Sequence, residues 1–381
     1  MAERTGHNLT RMGNIHYTLH LTDSCNMACK YCYVKQDSNV MSLETALASV
    51  DAAKKLKAHC GIVFFGGEPL LYKDLMRETV DYANFIQARG DARFHYKVTT
   101  NGLLLDEEFL RWSRENEVFI AISHDGVRKA HDKNRKDKQG KGTFSRLEPI
   151  LEALLKERPY APALMTVDPS TVNHYADSVE YLFRKGFKYI ICSLNYAGDW
   201  NEASLRSLQR QYKRLAKMYE AWTNCEEKFY LSPFEVKISS HIRGGCIGER
   251  CELGKKQVSI APDGTVYPCV QFVGDKHFAM GNIHTGINET KRYSLYRMNE
   301  QEKETCAGCA VRSRCNHFCG CLNRQSTGSI QNVSPVQCAN ERMLLPIADA
   351  LAERLYKKRN AMFIQKQYND MYPLLSLIED S

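Results

Sequence analysis

The chain has 381 residues, 43% of them hydrophobic and 25% charged, enough apolar material for a large core and two domains, which excludes a disordered chain or a minimal scaffold. Its formal net charge of +8 is dispersed, and Asp132 and Asp137 interrupt the one basic run, from Lys133 to Lys141, so the sequence argues against a nucleic-acid binder and leaves an acidic peptide as the softer partner of such a surface. Fifteen cysteines without an apolar signal segment in residues 1–14 or any run of membrane-spanning length read as reduced metal ligands in a cytoplasm, with no membrane partner.

In chain order, strand-like runs fall near Asn14 to Thr22, Gly61 to Phe65, Arg93 to Thr99, Val118 to Ser123, Ala163 to Val167 and Tyr189 to Leu194, with amphipathic helical stretches between them. Six βα units predict an α/β fold with a parallel sheet and are too few for a complete eight-stranded barrel; they suit an open, partial (β/α)6 barrel with chemistry at the carboxyl ends of the strands. The predicted divisions are a barrel over 1–225, a cysteine-rich region over 226–341 and a helical tail over 342–381, its first helix running from Leu344 to Arg359 and packing on the barrel.

Directly after the first strand stand Cys25, Cys29 and Cys32, spaced CxxxCxxC. Three thiolates hold three irons of a cubane and leave the fourth open to a ligand, whereas structural sites close their shell; half of a zinc site or unpaired buried thiols are the plainer alternatives. The second apolar run ends in Gly66-Gly67-Glu68-Pro69. Two glycines let main-chain groups approach a ligand, and a carboxylate there pairs with an ammonium. Together these runs resemble the radical S-adenosylmethionine enzymes, in which the open iron binds the amino and carboxylate groups of that cofactor. By that resemblance Tyr31 faces adenine, Asn101 and Ser123 meet the ribose hydroxyls, and Arg135, in Asn134-Arg135-Lys136-Asp137, grips the carboxylate.

The second half carries Cys251, then Gly264 and Cys269, then Cys306-x2-Cys309-x5-Cys315-x3-Cys319 and, eighteen residues on, Cys338. This pattern is similar to the SPASM extension, which implies two auxiliary four-iron, four-sulfur clusters, three clusters in all. The resemblance assigns Cys246, Cys251, Cys269 and Cys319 to the first auxiliary cluster and Cys306, Cys309, Cys315 and Cys338 to the second. Structural zinc is the competing use of such cysteine pairs. Cys60 and Cys192 read as core residues; Cys225 competes with Cys246, and Cys321 with Cys319.

Two enzyme families are resembled. One is the maturases that install cysteine thioether bridges in ribosomally made peptides, which Tyr267 to Gly274 and Met280 to Ile283 resemble, and this is the leading reading. The other is the anaerobic sulfatase maturases, which oxidise Cys or Ser to formylglycine and in which an Asp follows the residue corresponding to Cys269 and serves as base; here that position is Val270, which cannot take a proton. His124 and Asp263 are the remaining candidates for a proton acceptor. A peptide or small-protein substrate and a low-potential donor such as flavodoxin or ferredoxin are the implied partners. The short stretch before the first strand cannot form a leader-binding domain, so a leader is expected to bind elsewhere on the chain or to a separate leader-binding protein. A noncatalytic iron-sulfur carrier explains the cysteines alone.

Overall fold

The computed structural model describes residues 15–55, 59–245 and 251–369. All six expected strands are present: β1 Ile15–Thr22, β2 His59–Gly66, β3 Arg93–Thr100, β4 Val118–Ser123, β5 Ala163–Val167 and β6 Tyr189–Leu194. Each pairs in parallel with its sequence neighbour. The near-continuous burial of β1 and β2 is what a parallel sheet covered on both faces requires. Between them run α1 Leu43–Lys54, α2 Lys73–Ala88, α3 Glu107–Glu115, α4 Arg128–Asn134, α5 Phe144–Glu157 and α6 Tyr175–Lys185. Caps start several of them: the Ser42 side chain accepts from the Thr45 N–H, and Asp106 from the Phe109 N–H with Glu107 and Glu108 in the first turn.

Beyond β6 come α7 Glu202–Asn224, β7 Tyr230–Leu231, α8 Ser232–Arg243, β8 Gln257–Ile260, β9 Val266–Tyr267, α9 Glu289–Glu300, α10 Gly320–Thr327, α11 Pro335–Lys357 and α12 Ala361–Tyr368. The sheet does not stop at the sixth strand. Its order is β7-β6-β5-β4-β3-β2-β1-β8-β9, with β8 parallel to β1 and β9 antiparallel to β8. The boundary expected at residue 225 therefore cuts a continuous sheet, since β7 and β8 both come from beyond it. The boundary at residue 342 falls inside α11, which starts at Pro335 because Ser334 caps it and proline fits the first turn.

The core lies between sheet and helices. Leu19, Phe64, Val98 and Ile122 are fully buried, and α11 packs on α7, with Leu344, Leu351 and Leu355 of the one and Tyr212 and Leu215 of the other buried in the core. Among the described residues no helix is long and apolar enough to cross a membrane.

Phe64 sits opposite Leu19 on one side and Val98 on the other. Phe64→Ala is expected to lower the unfolding free energy by about 3–5 kcal/mol, read as a lower denaturant midpoint under anaerobic conditions.

Candidate active site

Residues 23–40, between β1 and α1, form a loop clasped from two sides. From β2, the Gly67 N–H donates to the Thr22 carbonyl at 2.7 Å and the Glu68 N–H to the Ser24 carbonyl at 2.8 Å. From the far side, the Ala28 N–H donates to the Lys136 carbonyl and the Lys30 N–H to that of Asn134, at 2.8 and 2.9 Å. Glycine is required at the clasp: Gly66 has φ +126°, and a Cβ on Gly67 would stand 2.0 Å from the Ser24 carbonyl oxygen. Asn134 to Asp137 thus acts first as the outer brace of the cysteine loop.

That loop opens on a cavity of about 1010 Å³ at the carboxyl ends of the strands. Cys25, Cys29 and Cys32 line it together with Tyr31, Gly66, Gly67, Asn101, Ser123 and Arg135, so the structure gathers the predicted cofactor residues in one place, Glu68 and Pro69 excepted. Three thiols with adjacent main-chain donors and acceptors, a guanidinium and hydroxyl and amide groups are a donor set suited to a cubane and a zwitterionic nucleoside cofactor. Burial pushes the Cys25 thiol up to about 11 and raises Cys29, against which the Arg135 guanidinium pulls downward. Metal binding therefore has protons to displace.

Glu68 departs from expectation. Its side chain is 1% exposed and turned away from the cavity, accepting from the Thr100 hydroxyl at 2.7 Å, the Asn101 N–H at 2.8 Å and the Leu70 N–H at 3.0 Å. It braces the end of β3 against the clasp instead of meeting an ammonium, and burial raises its pKa to about 7 against the opposing pull of those donors. Pro69, also buried, begins a short 3-10 turn behind it.

Asn101 donates from Nδ2 to Asn26 Oδ1 at 2.7 Å, tying β3 to the cysteine loop. Arg135 is 6% exposed, ion-paired through Nε to Asp125 Oδ1 at 3.1 Å and set over the Tyr31 ring, 5.4 Å from its centroid. The Tyr31 hydroxyl donates to Asp125 Oδ2, and the Thr166 N–H donates to Oδ1 at 3.0 Å. Asp125 therefore organises three cavity residues. Its sequence signal is its place in Ser123-His124-Asp125-Gly126 at the end of β4.

Neither candidate proton acceptor reaches the cavity. His124 is fully buried against His131, Phe144 and Tyr181, and burial lowers its pKa to about 3, so it stays neutral in the core. Asp263 closes a turn by accepting from the Thr265 N–H at 2.9 Å and lines a second cavity of about 480 Å³. Val270 faces that second cavity too, while its neighbour Gln271 lines the first. Cys192, expected in the core, also lines the first cavity, whose far wall comes from α8 and α11 through Lys237, Gln337, Asn340 and Glu341. Among the described residues of that lining, Glu341 is the one carboxylate, and Lys237 Nζ holds its oxygens at 2.7 and 2.9 Å.

Cys306, Cys309, Cys315 and Cys338 line a third, small cavity, the grouping expected of the second auxiliary site. Of the first auxiliary set, Cys251, Cys269 and Cys319 come together; Cys246 lies outside the described residues, and Cys225, the C-cap of α7, is exposed. Zinc and cluster sites both use such thiols, and it is the accompanying cofactor cavity that favours iron-sulfur chemistry.

Residues 19–199 match the radical SAM superfamily and residues 251–310 the SPASM iron-sulfur cluster-binding domain. The cysteine-type anaerobic sulfatase-maturating enzyme of Clostridium perfringens (strain 13 / Type A) is 26% identical over 338 residues, covering 78% of this chain and 86% of the relative. The serine-type enzyme of Klebsiella aerogenes is 23% identical, covering 78% and 77%. Among solved structures, native anSMEcpe with bound AdoMet superposes with a TM-score of 0.79 at 22% identity, covering 91% of this chain and 99% of that one. Streptococcus suis SuiB bound to precursor peptide SuiA gives a TM-score of 0.59 at 14% identity, covering 86% and 76%; both likenesses are of fold.

Two predictions follow from the buried charges. Because the folded pKa of Glu68 lies above the ordinary 4.5, folding favours its protonated form; this contribution is complete below about pH 4.5 and is lost as pH rises through about 7. Glu68→Gln should flatten that part of the stability-versus-pH curve in a denaturant titration series. Lys237→Met strands Glu341 in the cavity wall and should cost about 3–5 kcal/mol, with Lys237→Met/Glu341→Leu recovering most of it in the same measurement.

Proposed function

We propose, from the premise that this chain is a radical S-adenosylmethionine enzyme with a SPASM domain that modifies a peptide or protein, that it oxidises a cysteine residue of that substrate to formylglycine. The observation that carries the reading is the single cavity running from Cys25, Cys29 and Cys32 to Gln271, two residues past Cys269, so that a side chain held there lies between the cofactor end and an auxiliary thiol group. Similarity to sulfatase-maturating enzymes over 78% of the chain supports the product.

In this reading Cys25, Cys29 and Cys32 ligate the cluster. The main chain of Gly66 and Gly67, with Asn101, Ser123, Tyr31 and Arg135, binds S-adenosylmethionine, while Glu68, Pro69 and Asp125 position those groups. When bound, the cluster and cofactor supply a 5'-deoxyadenosyl radical that takes a hydrogen atom from carbon. For a cysteine the net change breaks one Cβ–H bond, whose hydrogen atom goes to the 5'-deoxyadenosyl radical, and the S–H bond, whose proton goes to water; the remaining electron would pass to an auxiliary cluster, and water converts the resulting thioaldehyde to the aldehyde and hydrogen sulfide. The choice of cysteine over serine rests on the lining: Val270 faces elsewhere and Glu341 is held by Lys237. A thiol sheds its proton far more readily than an alcohol, so it suits a site without a free carboxylate. A flavodoxin or ferredoxin is the fitting electron donor.

Thioether formation is the second reading, and Val270 favours it, since that position differs from the Asp of the sulfatase maturases. A separate leader-binding protein belongs with that reading. A noncatalytic carrier leaves the clasp, Asn101 and Arg135 without a use.

The test is anaerobic incubation of the reduced, reconstituted enzyme with S-adenosylmethionine and a cysteine-containing peptide, followed by tandem mass spectrometry. The expected product has lost its sulfur and carries an aldehyde that a hydrazide traps. A product that keeps its sulfur, loses two hydrogens and resists alkylation would establish the thioether instead.

A further inference from the structure

The inner face of the barrel is polar at its amino end. His16, Gly61 and His95 stand side by side in the register of β1, β2 and β3, and two residues further along lie Thr18, Val63 and Lys97. Side chains alternate across a strand, so these positions share the face on which Phe65 and Thr99 line the first cavity at the carboxyl ends. Bulky branched side chains ordinarily fill the interior of such a barrel. Here one row is two imidazoles with a glycine between them, and the next carries a lysine.

Gly61 is what brings the imidazoles together. A Cβ there would stand 2.4 Å from His16 Nδ1 and 2.6 Å from His95 Nε2, so both nitrogens border the space that a side chain of residue 61 would fill. The rings meet edge to face with centroids 5.2 Å apart. His16, His95 and Lys97 are half-buried, and the place is open to solvent beside His59 and beside Phe119, the β4 neighbour of Lys97, which is 55% exposed.

The charges there are of one sign. His95 and Lys97 act on His16, and His59 acts on His95, each against protonation, and burial does the same to Lys97. Among the described residues no carboxylate pairs with any of the three. A half-buried ammonium without a counter-charge is costly, and a cleft lined by one sign of charge concentrates ions of the other. We infer that the space above Gly61 binds a free oxyanion of phosphate size, held by the Lys97 ammonium with the His16 and His95 rings as donors. The room is that of one absent side chain, which suits an inorganic ion, and the ammonium repels a metal cation from the same imidazoles. The site is at the opposite end of the strands from the cysteine loop and is independent of which product the enzyme makes. A bound ion supplies the missing counter-charge and links the amino ends of β1 and β3 across β2.

The experiment uses the full chain, reconstituted anaerobically, left unreduced and kept with S-adenosylmethionine so that the carboxyl-end cavity is occupied. Inorganic phosphate is titrated by calorimetry at constant ionic strength in a chloride buffer, and the thermal unfolding midpoint is read in parallel. The parent is expected to show one saturable site and a midpoint that rises with phosphate. Lys97→Met should weaken binding by about tenfold or more, because a charge-assisted contact is lost. Lys97→Arg should retain binding, and Lys129→Met, at an exposed position of α4, should bind as the parent does. Since Lys97→Met removes an uncompensated charge, it should unfold in chloride no earlier than the parent, which separates loss of binding from loss of fold. Absence of saturable phosphate binding in the parent overturns the inference, and so does parental affinity in Lys97→Met. Zinc binding that His95→Phe abolishes, with no response to phosphate, overturns it in favour of a metal site.

Discussion

The backbone clasp between the β2 turn and the cysteine loop is the constraint from which the site is built. Two N–H donors, from Gly67 and Glu68, reach carbonyls of Thr22 and Ser24, at a separation that admits no Cβ on Gly67. The same Glu68 turns its carboxylate to Thr100 and Asn101. Three strand ends are thereby locked to one another before any ligand is considered, and the cysteine loop takes its shape from them. A buried carboxyl is costly, and three donors offset that cost only in part, which is why its pKa stays high.

Much of this was legible. An apolar run marks β2 and alternation marks β3, so the strands are legible, and the cysteine spacing marks the loop that follows the first. The direction of a side chain leaves no such trace. Gly-Gly-Glu-Pro reads the same whether Glu68 points at a ligand or into the core, and a Cys-x-Cys pair does not reveal whether one or both thiols serve. His124 and Asp263 looked equally eligible as bases until packing placed one under Phe144 and the other at a turn beside a different cavity. The start of α11 was the avoidable miss, because Ser334-Pro335 is a strong opening signal and the helix was begun nine residues late.

The two halves are bound to each other in more than one way. Beyond the shared sheet, α11 carries Cys338 to the third cavity and, one turn on, Glu341 to the wall of the first. A single helix thus sets a thiol of the third cavity and part of the wall of the first at once. Asn340, on the same helix, accepts from the Tyr212 hydroxyl at 2.6 Å, which ties that wall to α7.

The pairing of β8 with β1 bears on how the chain comes to be folded. β1 is made long before β8, yet it is Gln257–Ile260 that pair with its outer edge, and these reach the ribosome exit long afterwards. In the interval the main-chain groups of His16 to Leu19 that later pair with β8 lack that partner, and an open strand edge invites association with other chains. Synthesis therefore passes through an open-edged intermediate whose exposure lasts as long as translation of the intervening segment, and its rate joins cluster supply as a determinant of how much protein reaches the closed sheet.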